Sequence, residues 1–313
     1  MITTLTMNPC VDHTVSIRDF RIGETNRVSQ TRRDVGGKGI NVSAALHQMG
    51  LPTRCLCLGH SDGVVRAHLA EAGIPFELVE VPGTTRVNLK IFDEDSSVMT
   101  ECNERGAALT PSALESVRCA VTGCLSDSRF LTINGSVPPG VPETFYRDLI
   151  LRARKAGVPV LLDAGGAMLR RGAEAGPLLI KPNRGELKEA FGISVSDIAS
   201  AALACRDLAE EHDIGYIALS LGAEGALLVS RRGAWYTKGA EICVRGVQGA
   251  GDSMVAGFCQ GFSKGETDGA ALLRLAVAAA DASLEKPGTQ MCTAAEAAAM
   301  YGRLRVETLF LRD

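Results

Sequence analysis

The sequence has no long apolar segment and no excess of charge of one sign. Its apolar runs are far shorter than the roughly 18 residues that a membrane-spanning helix needs. The N-terminus has no basic region of the kind that opens a signal peptide. The formal net charge of −3 also differs from the basic excess of nucleic-acid-binding proteins. We therefore expect a cytoplasmic protein with neither a membrane nor a nucleic-acid partner.

Patterns typical of metal sites and of common nucleotide sites are missing as well. None of the 10 cysteines forms a C-x-x-C pair, and the 5 histidines are scattered. We expect buried free thiols rather than disulfides or metal ligands, and structural rather than catalytic histidines. There is no G-x-x-x-x-G-K-[ST] loop. No G-x-G-x-x-G follows the first predicted strand, which argues against a dinucleotide-dependent oxidoreductase.

Apolar, β-branched runs alternate with alanine- and leucine-rich stretches, which indicates an α/β fold with a parallel sheet and crossover helices. The predicted strands are Ile2–Met7, Thr53–Leu58, Phe130–Asn134, Val158–Leu162, Leu178–Lys181 and Tyr216–Ser220. The predicted helices lie near Ile40–Gln48, Ser112–Leu125, Glu143–Arg154, Ile198–Glu211, Asp252–Phe262 and Gly269–Leu284. A chain of 313 residues is long enough for one large domain with a small appendage.

Two segments, at about 12–35 and 84–103, alternate polar and apolar residues instead. This alternation is typical of strands with one solvated face, unlike the buried strands of a parallel sheet. We predict that they form a small β-sheet that serves as a lid or a dimer surface. Because no linker or repeat is visible, both segments should be excursions of a single domain that covers residues 1–313.

A glycine-rich stretch precedes a helical pattern late in the chain, reading Val247-Gln248-Gly249-Ala250-Gly251-Asp252-Ser253-Met254-Val255-Ala256-Gly257-Phe258. Small residues at a helix N-terminus leave backbone N–H groups open to an anion, which the helix dipole also favours. The carboxylate of Asp252 could then take a proton from a hydroxyl that attacks a bound phosphoryl group. The alternative is that Asp252 only caps the helix. This stretch alone leaves the two interpretations about equal.

The stretch Gly249–Asp252, followed by Met254, Gly257 and Phe258, closely resembles the C-terminal signature of the PfkB (ribokinase-like) carbohydrate kinases. The segment Gly36-Gly37-Lys38-Gly39-Ile40-Asn41-Val42-Ser43 resembles the N-terminal signature of that family. Three further blocks resemble the family, in its order: Asn134–Gly140, Lys181–Leu187 and Ser220–Ala226. The resemblance spans essentially the whole chain. It implies a three-layer α/β/α fold with a mostly parallel central sheet and a β-sheet lid, phosphoryl transfer from ATP with Mg²⁺, and a homodimer joined through the lid.

The resemblance assigns roles to individual residues. Asp252 becomes the catalytic base, and Gly249, Ala250 and Gly251 form an anion hole beside it. Asp12 and Asn41 would hold sugar hydroxyls, because a carboxylate can accept two hydroxyl hydrogen bonds. Gly37 and Gly39 would let the sugar approach the backbone. A turn residue at a strand end is the alternative for Asp12.

The nucleotide would be bound by a second group of residues. The resemblance places Lys181, Asn183, Glu186, Ser220, Gly222 and Gly225 there. Glu186 belongs to an N-x-x-E element that organises Mg²⁺ and phosphates, mostly through water. The alternatives are that Asn183 and Glu186 only begin a helix, and that Gly222 and Gly225 only form a turn between strands.

The opening Asn8-Pro9-Cys10-Val11-Asp12 resembles the N-P-A-x-D motif of the 1-phosphofructokinases and tagatose-6-phosphate kinases. Arg86, Asn88 and Lys90 resemble the R-x-N-x-K lid strand of that subgroup, and their alternation puts them on one face. Together with Lys38 they would bind the phosphate that the substrate carries. The chain departs from the subgroup's N-E-P-G turn, because Arg105 stands where the proline is expected.

These observations favour an ATP-dependent kinase that converts fructose 1-phosphate to fructose 1,6-bisphosphate. Tagatose 6-phosphate and fructose 6-phosphate remain alternative substrates within the same family. A sugar-phosphate sensor that kept the fold without catalysis is the alternative from another class. The retained Asp252 and its intact glycine turn favour the kinase, because a silent binder has no need of them.

Overall fold

The computed structural model describes residues 1–246 and 248–310, and Val247 of the glycine-rich stretch lies outside the described residues. The strands are β1 Ile2–Thr6, β2 Cys10–Ile17, β3 Val28–Gly36, β4 Thr53–Gly59, β5 Phe76–Glu80, β6 Arg86–Asp93, β7 Val98–Asn103, β8 Phe130–Asn134, β9 Val160–Asp163, β10 Leu179–Ile180, β11 Tyr216–Ser220, β12 Ala226–Ser230, β13 Gly233–Thr237 and β14 Glu307–Leu309. The helices are α1 Lys38–Gln48, α2 Val64–Glu71, α3 Pro111–Leu125, α4 Phe145–Lys155, α5 Gly166–Ala173, α6 Arg184–Phe191, α7 Ile198–Glu211, α8 Ala250–Ser263, α9 Gly269–Leu284 and α10 Ala294–Arg303.

A large sheet in the described part of the chain has the strand order β14-β13-β12-β11-β10-β9-β8-β1-β4-β5. Seven neighbouring strands of this sheet run parallel, namely β11, β10, β9, β8, β1, β4 and β5. The strands β12, β13 and β14 are antiparallel additions at one edge. All residues of β1, β8 and β9 are buried, as expected for parallel strands that are covered on both faces. Two buried threonines of β1 have polar partners, since Thr3 Oγ1 lies 2.6 Å from Ser128 Oγ and Thr4 Oγ1 donates to Gly39 O at 2.8 Å.

Helices cover both faces of this sheet. Apolar residues of α1, α8, α9 and α10 form one buried cluster, and those of α3, α4, α5, α6 and α7 form another. Together with the sheet they form three layers, which confirms the α/β/α prediction. Among the described residues, no helix combines the length and the apolar character needed to cross a bilayer.

A second, four-stranded sheet has the order β3-β2-β6-β7, and we call it the lid sheet. Its strands lie within residues 10–36 and 86–103, which confirms the small sheet predicted from the alternating segments. The two central strands pair in parallel, with Asp12 opposite Asn88 and Thr14 opposite Lys90. Every residue of β7 is exposed. The assignment of the whole chain to a single domain stays a prediction.

All twelve predicted strands and helices are present, but some bounds were wrong. The strand predicted at Val158–Leu162 begins at Val160, because Pro159 has no N–H to donate to a neighbouring strand. The strand predicted at Leu178–Lys181 shrinks to Leu179–Ile180, since Lys181 turns away into the site described below. The prediction omitted the four short strands β5, β12, β13 and β14 and the helices α2, α5, α6 and α10.

Candidate active site

Polar side chains gather where the parallel strands end. In the register of the sheet, Thr6 lies opposite Asn134, and Asn134 lies opposite Asp163. Lys181 follows β10, the next strand in the sheet. The carboxyl edge of an open parallel sheet is where ligands bind in α/β proteins. This edge is therefore the first candidate for the site.

An ion-pair cluster stands at this edge. The carboxylate Oδ1 of Asp163 lies 2.9 Å from Lys38 Nζ and 3.3 Å from Lys181 Nζ. Burial alone would raise the pKa of Asp163, but the two ammonium groups lower it below its ordinary value. Lys38 is also 3.8 Å from Glu186 Oε1. Burial would lower the pKa of Lys38, but Asp163 and Glu186 raise it above its ordinary value, which favours the charged form of Lys38.

Asp252 lies in the first turn of α8 and is buried. Its Oδ2 accepts a 2.8 Å hydrogen bond from Asn41 Nδ2. Burial and the negative charge of Asp163 raise the pKa of Asp252 to about 6. A carboxylate with a pKa in this range is well matched to general-base catalysis near neutral pH. Within the described ranges the Asp252 side chain is hydrogen-bonded to Asn41 and not to the backbone N–H groups that begin α8.

The N-terminus of α8 depends on its glycines. Gly249 precedes the helix with a φ of 80°, in the left-handed region that favours glycine. A Cβ on Gly251 would lie only 3.1 Å from Lys181 Nζ. The absence of a side chain at Gly251 thus lets the ammonium group lie against the first turn of α8. A helix N-terminus and a lysine together favour an anion at this point.

A cavity of about 690 Å³ lies between the lid sheet and this edge. It brings together most of the residues predicted to bind the substrate, namely Asp12, Gly37, Lys38, Asn41, Arg86, Asn88 and Lys90. Gly39 does not line it. Asn41 also contacts Asp252, so this one side chain joins the cavity to the buried carboxylate.

The lid-sheet face of the cavity is organised around Asp12. Its Oδ1 accepts a 3.0 Å hydrogen bond from Asn88 Nδ2, and its Oδ2 lies 3.0 Å from Lys90 Nζ. All three side chains are buried. Lys90 was predicted to contact a substrate phosphate, but in the structure its charge is balanced by Asp12. Asn88 and Lys90 together hold the Asp12 carboxylate in place at the wall of the cavity.

Lys38 differs in a similar way from its predicted place. It was grouped with Arg86 and Lys90 for the substrate's phosphate, but its ammonium group contacts Asp163 and approaches Glu186. Lys38 also lines a second, adjoining cavity of about 520 Å³ together with Gly135, Gly165 and Glu186. Lys38 therefore lines both cavities, and its charge lies where they adjoin.

The glycines after β3 have a packing role that sequence analysis missed. Gly37 has a φ of 139°, and a Cβ there would lie 2.8 Å from Thr6 Cγ2. A Cβ on Gly39 would lie 2.4 Å from Thr6 Oγ1. Both glycines let α1 pack closely against β1. This packing brings Lys38 and Asn41 to the carboxyl edge of the sheet.

Asn183 and Glu186 form the start of α6. Asn183 Oδ1 accepts from the N–H of Glu186 at 2.8 Å, and Glu186 Oε2 accepts from the N–H of Asn183 at 2.9 Å. This reciprocal capping box agrees with the alternative that Asn183 and Glu186 begin a helix. It uses only one oxygen of Glu186, and Glu186 also lines the 520 Å³ cavity. The capping role and a ligand-binding role are therefore compatible.

Ser220 ends β11, whereas Gly222 and Gly225 lie in the connection from β11 to β12, and none of the three lines either cavity. Ser220 Oγ donates to Pro182 O at 3.4 Å. A Cβ on Gly225 would lie 2.0 Å from Thr237 O, so packing against β13 alone requires glycine there. Gly222 has a φ of 62° and open space around it. Of the three, Gly222 is the residue that leaves its surroundings free for a ligand.

Asp163 is the important residue that sequence analysis missed. It balances both lysines of the site, and its Oδ2 is buried without a hydrogen-bond partner among the described residues. The sequence signal for Asp163 was weak. An aspartate at the end of an apolar strand, followed closely by two glycines, is also typical of ordinary turns. The two lysines that define its role are distant in the sequence.

Comparison with known proteins agrees with this geometry. The sequence profile described as pfkB family carbohydrate kinase matches residues 5–296. The chain is 33% identical over 311 residues to a 1-phosphofructokinase of Rhodobacter capsulatus, and the alignment covers 98% of each protein. It is 31% identical over 293 residues to an ATP-dependent 6-phosphofructokinase isozyme 2 of Mycobacterium tuberculosis, which covers 93% of the chain and 86% of the relative.

A solved structure of a possible 1-phosphofructokinase from Thermotoga maritima is also similar. It has a TM-score of 0.88 and 27% sequence identity, and the match covers 99% of this chain and 100% of that one. The chain belongs to the pfkB family of carbohydrate kinases. It is a phosphotransferase that uses ATP and has an alcohol group as acceptor. The predicted resemblance and enzyme class are confirmed.

Proposed function

We propose that the protein transfers the γ-phosphate of ATP to the free terminal hydroxyl of fructose 1-phosphate and so forms fructose 1,6-bisphosphate. The observation that carries the proposal is the Asp252 carboxylate. It is buried at the N-terminus of α8 and hydrogen-bonded to Asn41, which lines the cavity that the sugar would fill. The 1-phosphofructokinase relatives support the choice of acceptor.

The chemistry needs one base and a positive environment. Asp252 accepts the proton of the sugar hydroxyl while the hydroxyl oxygen bonds to the γ-phosphorus. The bond from that phosphorus to the bridging oxygen breaks, and ADP leaves with the electron pair. The N–H groups of Gly249, Ala250 and Gly251, with the ammonium groups of Lys38 and Lys181, stabilise the charge on the transferring oxygens.

The sugar itself is held by the lid-sheet side of the site. Asp12 accepts hydrogen bonds from sugar hydroxyls, and Asn88 and Lys90 fix its carboxylate for this purpose. Asn41 is placed to contact both the acceptor and Asp252. Closure of the lid sheet over the cavity excludes water, which would otherwise compete for the phosphoryl group.

The residues present fit a Mg²⁺ ion bound through water. The cluster has three carboxylates, those of Asp163, Glu186 and Asp252, but only two ammonium groups, those of Lys38 and Lys181. Oε1 of Glu186 is not used by the capping box and can accept from a metal-bound water. No group of three or more acidic, histidine or cysteine residues in the described ranges forms a direct ligand cluster. When bound, the ion neutralises phosphate charge.

ATP binding is assigned to the opposite side of Asp252 from the sugar. Lys181 and Asn183 face the phosphates, together with the anion hole at α8. Gly222 would contact the nucleoside, and Ser220 and Gly225 hold the turn that carries Gly222. The packing of Gly225 against Thr237 supports this positioning role.

We also propose that the lid sheet joins two copies of the chain in a homodimer. Its outer face, opposite Arg86, Asn88 and Lys90, carries apolar side chains along β6, and it includes exposed Val87 and Val98. A second copy of the same face would cover it. Light scattering of the parent and of a V87K/V98K variant tests this, because the charges should convert dimer to monomer. A parent that is monomeric at micromolar concentration would contradict the proposal.

The acceptor is tested by measuring kcat/KM with ATP for fructose 1-phosphate, fructose 6-phosphate, tagatose 6-phosphate, free fructose and ribose. We expect a clear preference for fructose 1-phosphate. Preference for fructose 6-phosphate would favour the function of the Mycobacterium tuberculosis relative. Tight binding of one sugar phosphate without turnover of any acceptor would instead favour the non-catalytic sensor.

A further inference from the structure

Four cationic side chains line the large cavity, those of Lys38, Arg86, Lys90 and Arg105. Two of them are already balanced by buried carboxylates. Lys90 Nζ lies 3.0 Å from Asp12 Oδ2, and Lys38 Nζ lies 2.9 Å from Asp163 Oδ1. Breaking a buried ion pair is costly, so neither lysine is free to turn toward a substrate phosphate.

Arg86 is different, because no carboxylate balances its guanidinium group among the described residues. Its N–H groups are nevertheless directed at the protein. Nε and Nη2 donate to Asn8 O at 3.3 and 3.2 Å. Nη1 donates to Asn88 Oδ1 and to Glu104 O, both at 2.9 Å. Arg86 therefore contributes an unbalanced positive charge but few free donors.

The guanidinium group of Arg105 has neither a hydrogen bond nor an ion pair with any residue of the described ranges, yet it lines the same cavity. Its backbone is fixed, since Arg105 O accepts from Asn8 Nδ2 at 3.2 Å. A Cβ on the next residue, Gly106, would lie 3.5 Å from Arg86 Cδ. The two arginines are therefore held at the same end of the cavity.

The acidic residues nearby do not take up this charge. Glu101 lies 4.0 Å from Lys90. Glu104 Oε2 accepts a 2.7 Å hydrogen bond from the N–H of Val87. Both carboxylates are thus directed at the lid sheet rather than at Arg105.

We propose that Arg105, with Arg86 beside it, binds the phosphate that the acceptor sugar already carries. The proposal rests on the proposed function and adds a specificity determinant to it. A guanidinium group presents five N–H donors in a planar fork that matches two phosphate oxygens. A proline at position 105 could make no such contact, so the departure from the N-E-P-G turn gives this chain its own phosphate contact.

Three variants of the full-length protein test the proposal. R105Q removes the charge and keeps most of the side-chain length, and R105K keeps the charge without the fork. R152Q is the matched control, because Arg152 is exposed on α4, donates to Thr122 Oγ1 and lines neither cavity. The measurements are KM for fructose 1-phosphate, KM for ATP, kcat/KM for free fructose, and the affinity for inorganic phosphate.

For R105Q we expect KM for fructose 1-phosphate to rise about tenfold or more, as for loss of charge-assisted hydrogen bonds. Its KM for ATP and its kcat/KM for free fructose should stay within about twofold of the parent, and its affinity for inorganic phosphate should fall. R105K should recover part of the loss, and R152Q should behave as the parent. An R105Q variant with the parent's KM for fructose 1-phosphate and the parent's phosphate affinity would overturn the proposal.

The design separates this inference from the proposed function. Turnover by the parent decides whether the protein is a fructose 1-phosphate kinase, and the ratio of variant to parent decides the role of Arg105. If the parent uses no phosphorylated acceptor, the proposed function fails. Binding of inorganic phosphate, followed by ³¹P NMR, still compares R105Q with the parent. Equal phosphate affinity in that experiment would reject Arg105 as a phosphate ligand.

Discussion

Asn41 and Asp252 are 211 positions apart in the sequence, and Asn41 Nδ2 donates a 2.8 Å hydrogen bond to Asp252 Oδ2. Asn41 is carried by α1, which packs on β1 through Gly37 and Gly39, and Asp252 is carried by the first turn of α8. The contact joins the sugar cavity to the proposed base. It also means that the two glycine-rich motifs of the chain build one site from opposite sides.

The first prediction concerns the base itself. The variant D252N should bind ATP and sugar nearly as the parent does, while kcat falls at least about a hundredfold, because the amide cannot accept the proton. Asp197, the N-cap of α7, is a matched control far from the site, and D197N should keep full activity. Turnover by D252N equal to that of the parent would remove Asp252 from the chemistry.

The second prediction concerns pH. Since Asp252 must be ionised to act, kcat/KM should fall as the pH drops through the pKa of about 6 that burial and Asp163 impose on Asp252. The variant D163N removes the like charge, so the pKa of Asp252 should fall and the acidic limb should move to lower pH. The pH profiles of kcat/KM for the parent and for D163N measure this shift. An acidic limb at the same pH in both proteins would exclude coupling between the two carboxylates.

The third prediction concerns Asn41, whose removal should shift the acidic limb in the opposite direction to D163N. The Asn41 hydrogen bond favours the charged form of Asp252 and lowers its pKa. In N41A this bond is lost, so the acidic limb of the kcat/KM profile should move to higher pH. If N41A moves the limb in the same direction as D163N, the hydrogen bond does not act on Asp252 as the structure indicates.

The fourth prediction concerns the lid sheet. Lys90 is buried against Asp12, so K90M leaves a buried carboxylate without its charge partner. The free energy of unfolding should fall by about 3 kcal/mol, as for other broken buried pairs. The double variant D12N/K90M should regain most of this loss, because no uncompensated charge remains. Urea denaturation of the parent, D12N, K90M and D12N/K90M measures the double-mutant cycle. If the losses of the two single variants add up in the double variant, the two groups act independently.

The fifth prediction concerns the anion hole. A Cβ on Gly251 would press against Lys181 Nζ at 3.1 Å, so G251A should raise KM for ATP severalfold with little change in KM for the sugar. Gly302 in α10, which has open space around it and no left-handed φ, provides a control. G302A should leave both KM values unchanged. An equal effect of G251A on both substrates would place Gly251 outside the ATP-phosphate site.

Strong periodic signals were read correctly from the sequence. The bounds of β8, β11, α7 and α9 are those predicted, since each is either a mostly apolar strand or a long alanine-rich helix. The short strands β5, β12, β13 and β14 were not predicted. The strand β10 was predicted at Leu178–Lys181, but only Leu179 and Ile180 pair with the flanking strands β9 and β11.

For the site, too, some features were predicted from the sequence and others were not. The motifs predicted Asp252, Asn41 and Asp12 as residues that lie together, and the structure brings them to one region. It could not be predicted that Lys38 pairs with Asp163 and that Lys90 pairs with Asp12. Alternation along β6 places Lys90 on the correct face, but the partner of a charge depends on which strands become neighbours. That pairing is a property of the tertiary fold.

The most direct test of the central claim is product analysis by ³¹P NMR with the purified protein, ATP, Mg²⁺ and fructose 1-phosphate. The account predicts fructose 1,6-bisphosphate and ADP in equal amounts, with both products lost in D252N. ATP hydrolysis without bisphosphate, or bisphosphate formation that persists at the parent's rate in D252N, would contradict it.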